Sequence, residues 1–545
     1  MPTPSPSDRV VTSPQRRTGV LVPLSAIPSA GSWGIGEIPD LVPLARWLRL
    51  AGVRVLQLLP VNEVPPGESS PYSALTAMAI DPQYIGLARL DDFQALGGEG
   101  ALPADEREQL CAVRASTRVD YAGVRRLKDA VLRRCWRRFG RDQLSAGTER
   151  AARFRAYVVR ERWWLDDYAV FRALQARHPD RGWTDWPTPV RERERAALDE
   201  ARQALGDEIH YRHYLQWIAD EQWAHARREV APLAIFGDLP FMVSGDSADV
   251  WAHQDEFRLD ASAGAPPDAF AADGQDWGLP VYRWDVLRDR DFDWLRERGR
   301  RYATLFDGFR VDHLVGFYRT FHRLHADDTR GFVPASEPEQ LALGERVLQV
   351  FRDSGSEIIA EDLGTVPDFI RASLARLGVP GYRVLRWERE WHAEGAPFRD
   401  PADYPVAAVA TTGTHDTEPL VVWWESADAA ERAAVLAIPS LAARLPAGGH
   451  DEALATPGMP AWLRERVLDT LIASGAGLVL LPIGDLFGWA DRINRPATVG
   501  PGNWTWRLPW AVERLEAEPA PLAVAARARQ WSVQHGRWPD RPFDQ

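Results

Sequence analysis

The sequence predicts an α/β protein, a (β/α)8 TIM barrel with a large, mostly helical insertion after its second strand and a smaller helical insertion after its seventh. Three observations lead there. Eight short apolar, β-branched runs each end abruptly in polar residues, as strands buried on both faces do. Helical patterns separate several of them, and strand and helix alternating eight times close into a barrel. The rival architecture, an open doubly wound sheet, usually shows a GxGxxG turn after its first strand, and none is found here.

In chain order, residues 1–17 are polar and rich in Pro and Ser, lack the apolar middle of a secretion signal, and read as a flexible tail. The predicted strands are 19–24, 53–59, 233–237, 308–311, 357–360, 382–385, 406–410 and 477–481. Residues 39–51 form a helical pattern that Asp40 can cap and Gly52 can end, and 367–377 form another, followed by Gly378. The stretch 62–230 is far longer than one crossover needs. Its charges alternate in sign along helical patterns, so it reads as a helical insertion subdomain. The Gly- and Pro-rich segment 261–280 reads as a long loop, and 417–475 as the second helical insertion. The barrel itself occupies 18–61 and 231–510, and 511–545 form a C-terminal helical segment.

Composition narrows the function. A chain of 545 residues, 45% hydrophobic and 26% charged, is globular and too long for one ordinary core. No run of about 18 apolar residues suggests a membrane helix. A net charge of −12 repels nucleic acid, so a neutral or cationic partner is favoured. Cys111 and Cys135 have no metal-finger spacing and read as free thiols, which makes the cytoplasm the expected location. Lys128 is the only lysine, in a charged run that reads as the outside of a helix. It follows no glycine-rich loop and lies in no pocket-like context, so a phosphate loop and a pyridoxal Schiff base are both excluded.

Three predicted strands end in acidic motifs: Phe309-Arg310-Val311-Asp312-His313, Ile359-Ala360-Glu361-Asp362-Leu363-Gly364, and Thr414-His415-Asp416 beyond the seventh. In a barrel, the C-terminal ends of all parallel strands point to the face that carries the active site. Asp312, Glu361 and Asp416 therefore converge, although 49 and 55 residues separate them. One Asp after a strand is usually a helix cap. Three acids, each beside a His, an Arg or a second acid, exceed what scaffolding needs. They suit glycosidic bond chemistry, in which retaining cleavage uses two carboxyls about 5–5.5 Å apart. One attacks the anomeric carbon, the other moves the proton, and a third favours the charged transition state. Neither His313 nor His415 lies in a metal-binding pattern.

At these motifs the sequence closely resembles the amylomaltase, or disproportionating-enzyme, family (glycoside hydrolase family 77), from about residue 19 to 508. The resemblance implies Asp312 as nucleophile with Arg310 orienting it, Glu361 as general acid and base, and Asp416 as transition-state stabiliser beside His415. Ser70-Pro71-Tyr72 resembles the segment whose tyrosine packs beside the nucleophile. Residues 237–241 and 248–251 resemble the third-strand signature. Gly264–Asp268 and Gly274–Gly278 resemble a loop that arches over bound glucan, which brings in Asp268, Gln275 and Trp277. Arg492-Ile493-Asn494 and 502–507 resemble the eighth-strand segment. Tyr72, Ser70, Arg310, His313, His415, Asp362, Asp268, Gln275, Trp277 and Asn494 are the implied sugar ligands. Ala269 and Pro65-Pro66-Gly67 depart from aromatic positions that some members carry, which weakens individual sugar platforms and leaves the chemistry intact. Trp251, Trp284 and Trp163-Trp164 read as core, Trp277 as a sugar platform, and Asp238 equally as a turn cap or a site residue. The implied activity is 4-α-glucanotransfer between α-1,4-glucans, without metal or cofactor. A hydrolase of the α-amylase clan and an inactive glucan-binding protein stay open as alternatives, as does the oligomeric state.

Overall fold

The computed structural model describes residues 16–267, 274–496, 498 and 500–539; most of the expected N-terminal tail and position 268 lie outside them. Eight parallel strands close into a barrel: β1 (Arg17–Leu21), β2 (Val55–Gln57), β3 (Ala234–Leu239), β4 (Gly308–Val311), β5 (Glu357–Ala360), β6 (Gly381–Val384), β7 (Ala408–Thr411) and β8 (Leu478–Pro482). Each predicted strand finds its counterpart, and β8 pairs with β1 to complete the ring.

The pleat explains how one barrel holds both a dry core and a polar mouth. Val55, Phe236, Ile359, Tyr382, Val409, Leu478 and Leu480 form a separate buried cluster inside the strands. Alternate residues of a strand share a face, so two residues on from Val55, Phe236, Ile359 and Val409 come Gln57, Asp238, Glu361 and Thr411, one layer nearer the C-terminal face. Gly308 leaves space for this packing, since a Cβ there would lie 2.7 Å from the Phe236 ring and 2.9 Å from the Glu357 carbonyl.

The chain between β2 and β3 is mainly helical. Its longest helices, Glu149–Arg177 and Gly206–Val230, pack together around Trp136, Phe139, Phe154, Tyr214 and Trp217. These residues belong to the same continuous core as the outer barrel face. Five helices between Leu420 and Ala473 follow β7. No helix among the described residues is long and apolar enough to cross a membrane.

Two expectations are corrected. The segment 261–280 is no plain loop. Strands Phe257–Ala265 and Gln275–Tyr282 pair antiparallel and join Thr320–Leu324 and Arg330–Val333 in a second, four-stranded sheet. Lys128 is not on the outside of its helix. It is buried, its Nζ 2.6 Å from Glu37 Oε1 and donating to the carbonyls of Gln83 and Ile85. A buried ammonium needs such partners because desolvation otherwise removes its charge. Trp251, Trp284 and Trp164 are buried, as read from the sequence.

Candidate active site

The site is assembled by strand register. Arg310 of β4 sits directly across from Asp238 of β3, and its Nη1 donates to both Asp238 oxygens at 2.8 Å. The same Nη1 is 2.8 Å from Asp312 Oδ1, and Nη2 is 3.8 Å from Glu361 Oε2. One buried guanidinium thus gathers carboxylates from the ends of three adjacent strands. Immediately after Asp312 the backbone turns sharply, with His313 at a φ of +41°. That conformation is costly outside glycine. Here it aims the His313 N–H at Glu361 Oε2, 2.8 Å away, while Leu363 N–H donates to Oε1 at 2.9 Å. Glu361 is held at both oxygens.

Asp416 comes from the loop after β7. Asn494 Nδ2 donates to its Oδ1 at 2.7 Å, His415 Nε2 lies 3.3 Å from Oδ2, and Arg492 donates to its backbone carbonyl. Tyr72 joins the halves: its hydroxyl donates to Asp238 at 2.8 Å and its ring stacks on His415 with centroids 5.2 Å apart. Trp277 meets His313 edge to face at 4.9 Å. Asp312, Glu361 and Asp416 all line one cleft of about 760 Å³, together with Ser70, Tyr72, Gln275, Trp277, His313, His415 and Asn494.

The profile of the family described as 4-alpha-glucanotransferase (glycoside hydrolase family 77) matches residues 22–513. The chain belongs to that family. The 4-alpha-glucanotransferase of Thermus thermophilus is 33% identical over 518 residues, covering 90% of this chain and 95% of that protein. That of Chlamydia pneumoniae is 30% identical over 511 residues, covering 92% and 93%. Among solved structures, an amylomaltase from Streptococcus agalactiae in complex with acarbose has a TM-score of 0.79 at 28% identity, covering 96% of this chain and all of that one. An amylomaltase from Corynebacterium glutamicum has 0.78 at 25%, covering 94% and 75%.

In this 4-alpha-glucanotransferase fold the electrostatics of Glu361 and Asp416 diverge. Burial pushes the Glu361 carboxyl up; Arg310 opposes this and the Asp312 charge adds to it, for a value of about 7. Asp416 is also penalised by burial, but the His415 charge and the hydrogen bonds from His415 and Asn494 prevail and hold it well below the usual carboxylate range. Burial lowers His313 to about 4, so its ring is neutral. His415 suffers the same desolvation, yet neighbouring Asp416 lifts it above the ordinary imidazole value. One acid that keeps its proton near neutrality beside another that stays ionised is the arrangement acid–base chemistry uses.

Among the described sugar ligands that the sequence implies, Asp362 alone is not a cleft residue. Asp362 is turned away: its Oδ1 accepts from the Tyr382 N–H at 2.7 Å and its Oδ2 lies 3.5 Å from Arg383. The acid side chain that follows Glu361 therefore ties β5 to β6. Asp268 lies outside the described residues. Conversely, the cleft includes Trp387 and Trp504, and Asp238 stands beneath it as the anchor of Arg310 and Tyr72. Asp238 and Trp504 fall within motifs that the sequence did single out. Trp387, 45% exposed, carries only the signal of a tryptophan soon after the sixth strand.

Proposed function

We propose that this protein transfers segments of α-1,4-glucan between maltodextrins with net retention, through a covalent glycosyl–Asp312 intermediate. An Asp312 oxygen attacks the anomeric carbon as the bond to the leaving 4-oxygen breaks, and Glu361 gives that oxygen its proton. Ester formation removes the Asp312 charge, one of the influences that raises Glu361. Glu361 is then ready to serve as the base in the second half of the cycle. It takes the proton of an incoming sugar 4-hydroxyl, which displaces Asp312. Asp416, kept ionised, faces the positive charge that develops on the sugar ring. Trp277, Trp387 and Tyr72 offer flat apolar faces to sugar C–H surfaces. No step draws on a metal or a cofactor.

The observation that carries this reading is the shared Arg310, which brings Asp312 and Glu361 to one guanidinium at the mouth of the barrel. Incubation with maltotriose alone tests it. The expected products are glucose and a ladder of longer maltodextrins, and Asp312→Asn should lower their formation by about 10³-fold or more. Glucose and maltose without a ladder would mean a hydrolase. Binding without turnover in the wild type would mean a glucan-binding protein.

A further inference from the structure

A second aromatic cleft, of about 740 Å³, shares no lining residue with the catalytic one. Trp489, Trp506 and Trp510 wall it. Their placement follows from a ladder of rings. Trp47, fully buried, stacks on Phe487 with centroids 5.9 Å apart and planes 18° apart. Phe487 in turn stacks on Trp489 at 4.3 Å and 5°. One face of Trp489 is thus covered by the ladder, and Trp489 borders the open cleft. Trp510 stands beside it at 5.9 Å, tilted by 42°, and Trp506 at 5.7 Å, tilted by 52°. Three indoles make a concave aromatic surface, with polar groups at its edge. Arg118 donates to Thr505 Oγ1 at 3.2 Å, and the exposed Asp491 completes the rim.

Trp489 and Trp510 pack against the core yet are only partly buried, and Trp506 is 7% exposed, so part of the ring area stays open to the concavity, as in the aromatic wall of a binding cleft. Flat rings ringed by hydrogen-bonding groups suit a ligand with apolar faces and hydroxyl edges, which is what a sugar presents. The position favours the same ligand as the catalytic cleft. Trp504 lines that cleft and Trp506 lines this one, two residues further along the chain. The segment that carries Trp489 and Asp491 continues into Arg492 and Asn494, which hold Asp416.

We propose that the Trp489–Trp510 cleft is a second docking site for α-1,4-glucan, engaged by parts of a long chain that are not being cut. The inference rests on the transferase reading given above. It makes the enzyme's preference for long over short substrates a property of this remote surface. Maltotriose in the catalytic cleft has no remote part to dock, whereas amylose does.

The test compares wild type with the Trp489→Ala/Trp510→Ala double variant, using maltotriose and long-chain amylose as donors. Loss of two stacking contacts should raise KM for amylose about fivefold or more, while kcat/KM for maltotriose stays within about twofold. Trp489→Phe/Trp510→Phe, which keeps flat faces, should recover most of the amylose affinity. An unchanged amylose KM would overturn the proposal and leave the cleft to another occupant. Parallel loss on both donors with a lowered melting temperature would overturn it too, by showing that the ladder only supports the fold. If wild type gave no ladder from maltotriose, the transferase reading itself would fail. A ladder with an amylose KM indifferent to both substitutions would sink the second site alone.

Discussion

Glu361 carries the most sharply testable property of a single side chain. Its carboxyl sits near 7 because burial and the Asp312 charge outweigh Arg310 and two backbone N–H donors. The first half of the proposed cycle needs the protonated form, so kcat/KM for maltotriose should fall about tenfold per pH unit above roughly 7. Glu361→Gln should lower the rate by about 10²–10⁴-fold and abolish that alkaline limb. Stability should respond as well. The folded value lies above the ordinary 4.5, so the folded state holds the proton more tightly and loses stability as pH rises from about 4.5 to 7. Glutamine cannot lose a proton, so the melting temperature of Glu361→Gln relative to wild type should rise between pH 5 and pH 8. A flat difference across that range would show that the carboxyl is not raised. The acids at 312, 361 and 416 were legible because each follows a readable strand. Asp362 misled because a motif fixes which residues are adjacent in sequence, while the turn after β5 decides which one faces the cleft.

At the scale of elements, the strands were legible and the packing of helices was less so. A strand buried on both faces writes itself as an unbroken apolar run. The second sheet did not. Its strand Phe257–Ala265 is rich in Ala and Gly, and Gly264 is needed because a Cβ there would lie 1.9 Å from the Gln275 carbonyl. Close backbone approach uses the same residue types as a loop. Helix Tyr121–Phe139 shows the other failure, since a charged run conceals which member points inward. Lys128 meets Glu37 where both side chains are 3% exposed or less, and this pair clamps the helix to the segment before Leu41–Leu50. Lys128→Met should leave Glu37 buried and unpaired and cost about 3–5 kcal/mol in denaturant unfolding. Adding Glu37→Gln should restore part of that loss. Since Lys128 is the sole lysine, an amine-reactive reagent should label its side chain in the unfolded protein and spare it in the native one.

Across the whole molecule, function and stability are divided between the two ends of the barrel. Asp312, Glu361 and Asp416 stand at or just beyond the C-terminal ends of barrel strands, with the apolar plug beneath them. At the opposite end, the segment after the C-terminal helix Pro519–Gln534 folds back and inserts Arg537, which is fully buried. Its guanidinium donates to the carbonyls of Ile472, Ser474 at 3.0 Å, Ala476 at 2.8 Å, Arg17 at 3.2 Å and Gly477 at 3.4 Å, and to the Ser474 hydroxyl at 3.4 Å. Arg17 opens β1 and Gly477 precedes β8, so this one side chain satisfies backbone acceptors on both sides of the seam that closes the ring. Nothing in the sequence near residue 537 announces such a role, because it depends on the return of the chain from the far end. Arg537→Ala would remove a donor from each of these carbonyls; Ser474 keeps Arg16 and Gly477 keeps the Arg17 N–H, while each buried carbonyl left with no donor costs about 1–3 kcal/mol. The barrel should therefore unfold at markedly lower denaturant. The cleft lies across the apolar plug from this seam, so kcat/KM for maltotriose at 25 °C should change less than about twofold. Arg537→Lys, which keeps a charge but cannot span the same set of acceptors, should fall between the two. Loss of activity without loss of stability would mean that the bottom of the barrel governs the geometry of the mouth, contrary to the separation that this fold usually keeps.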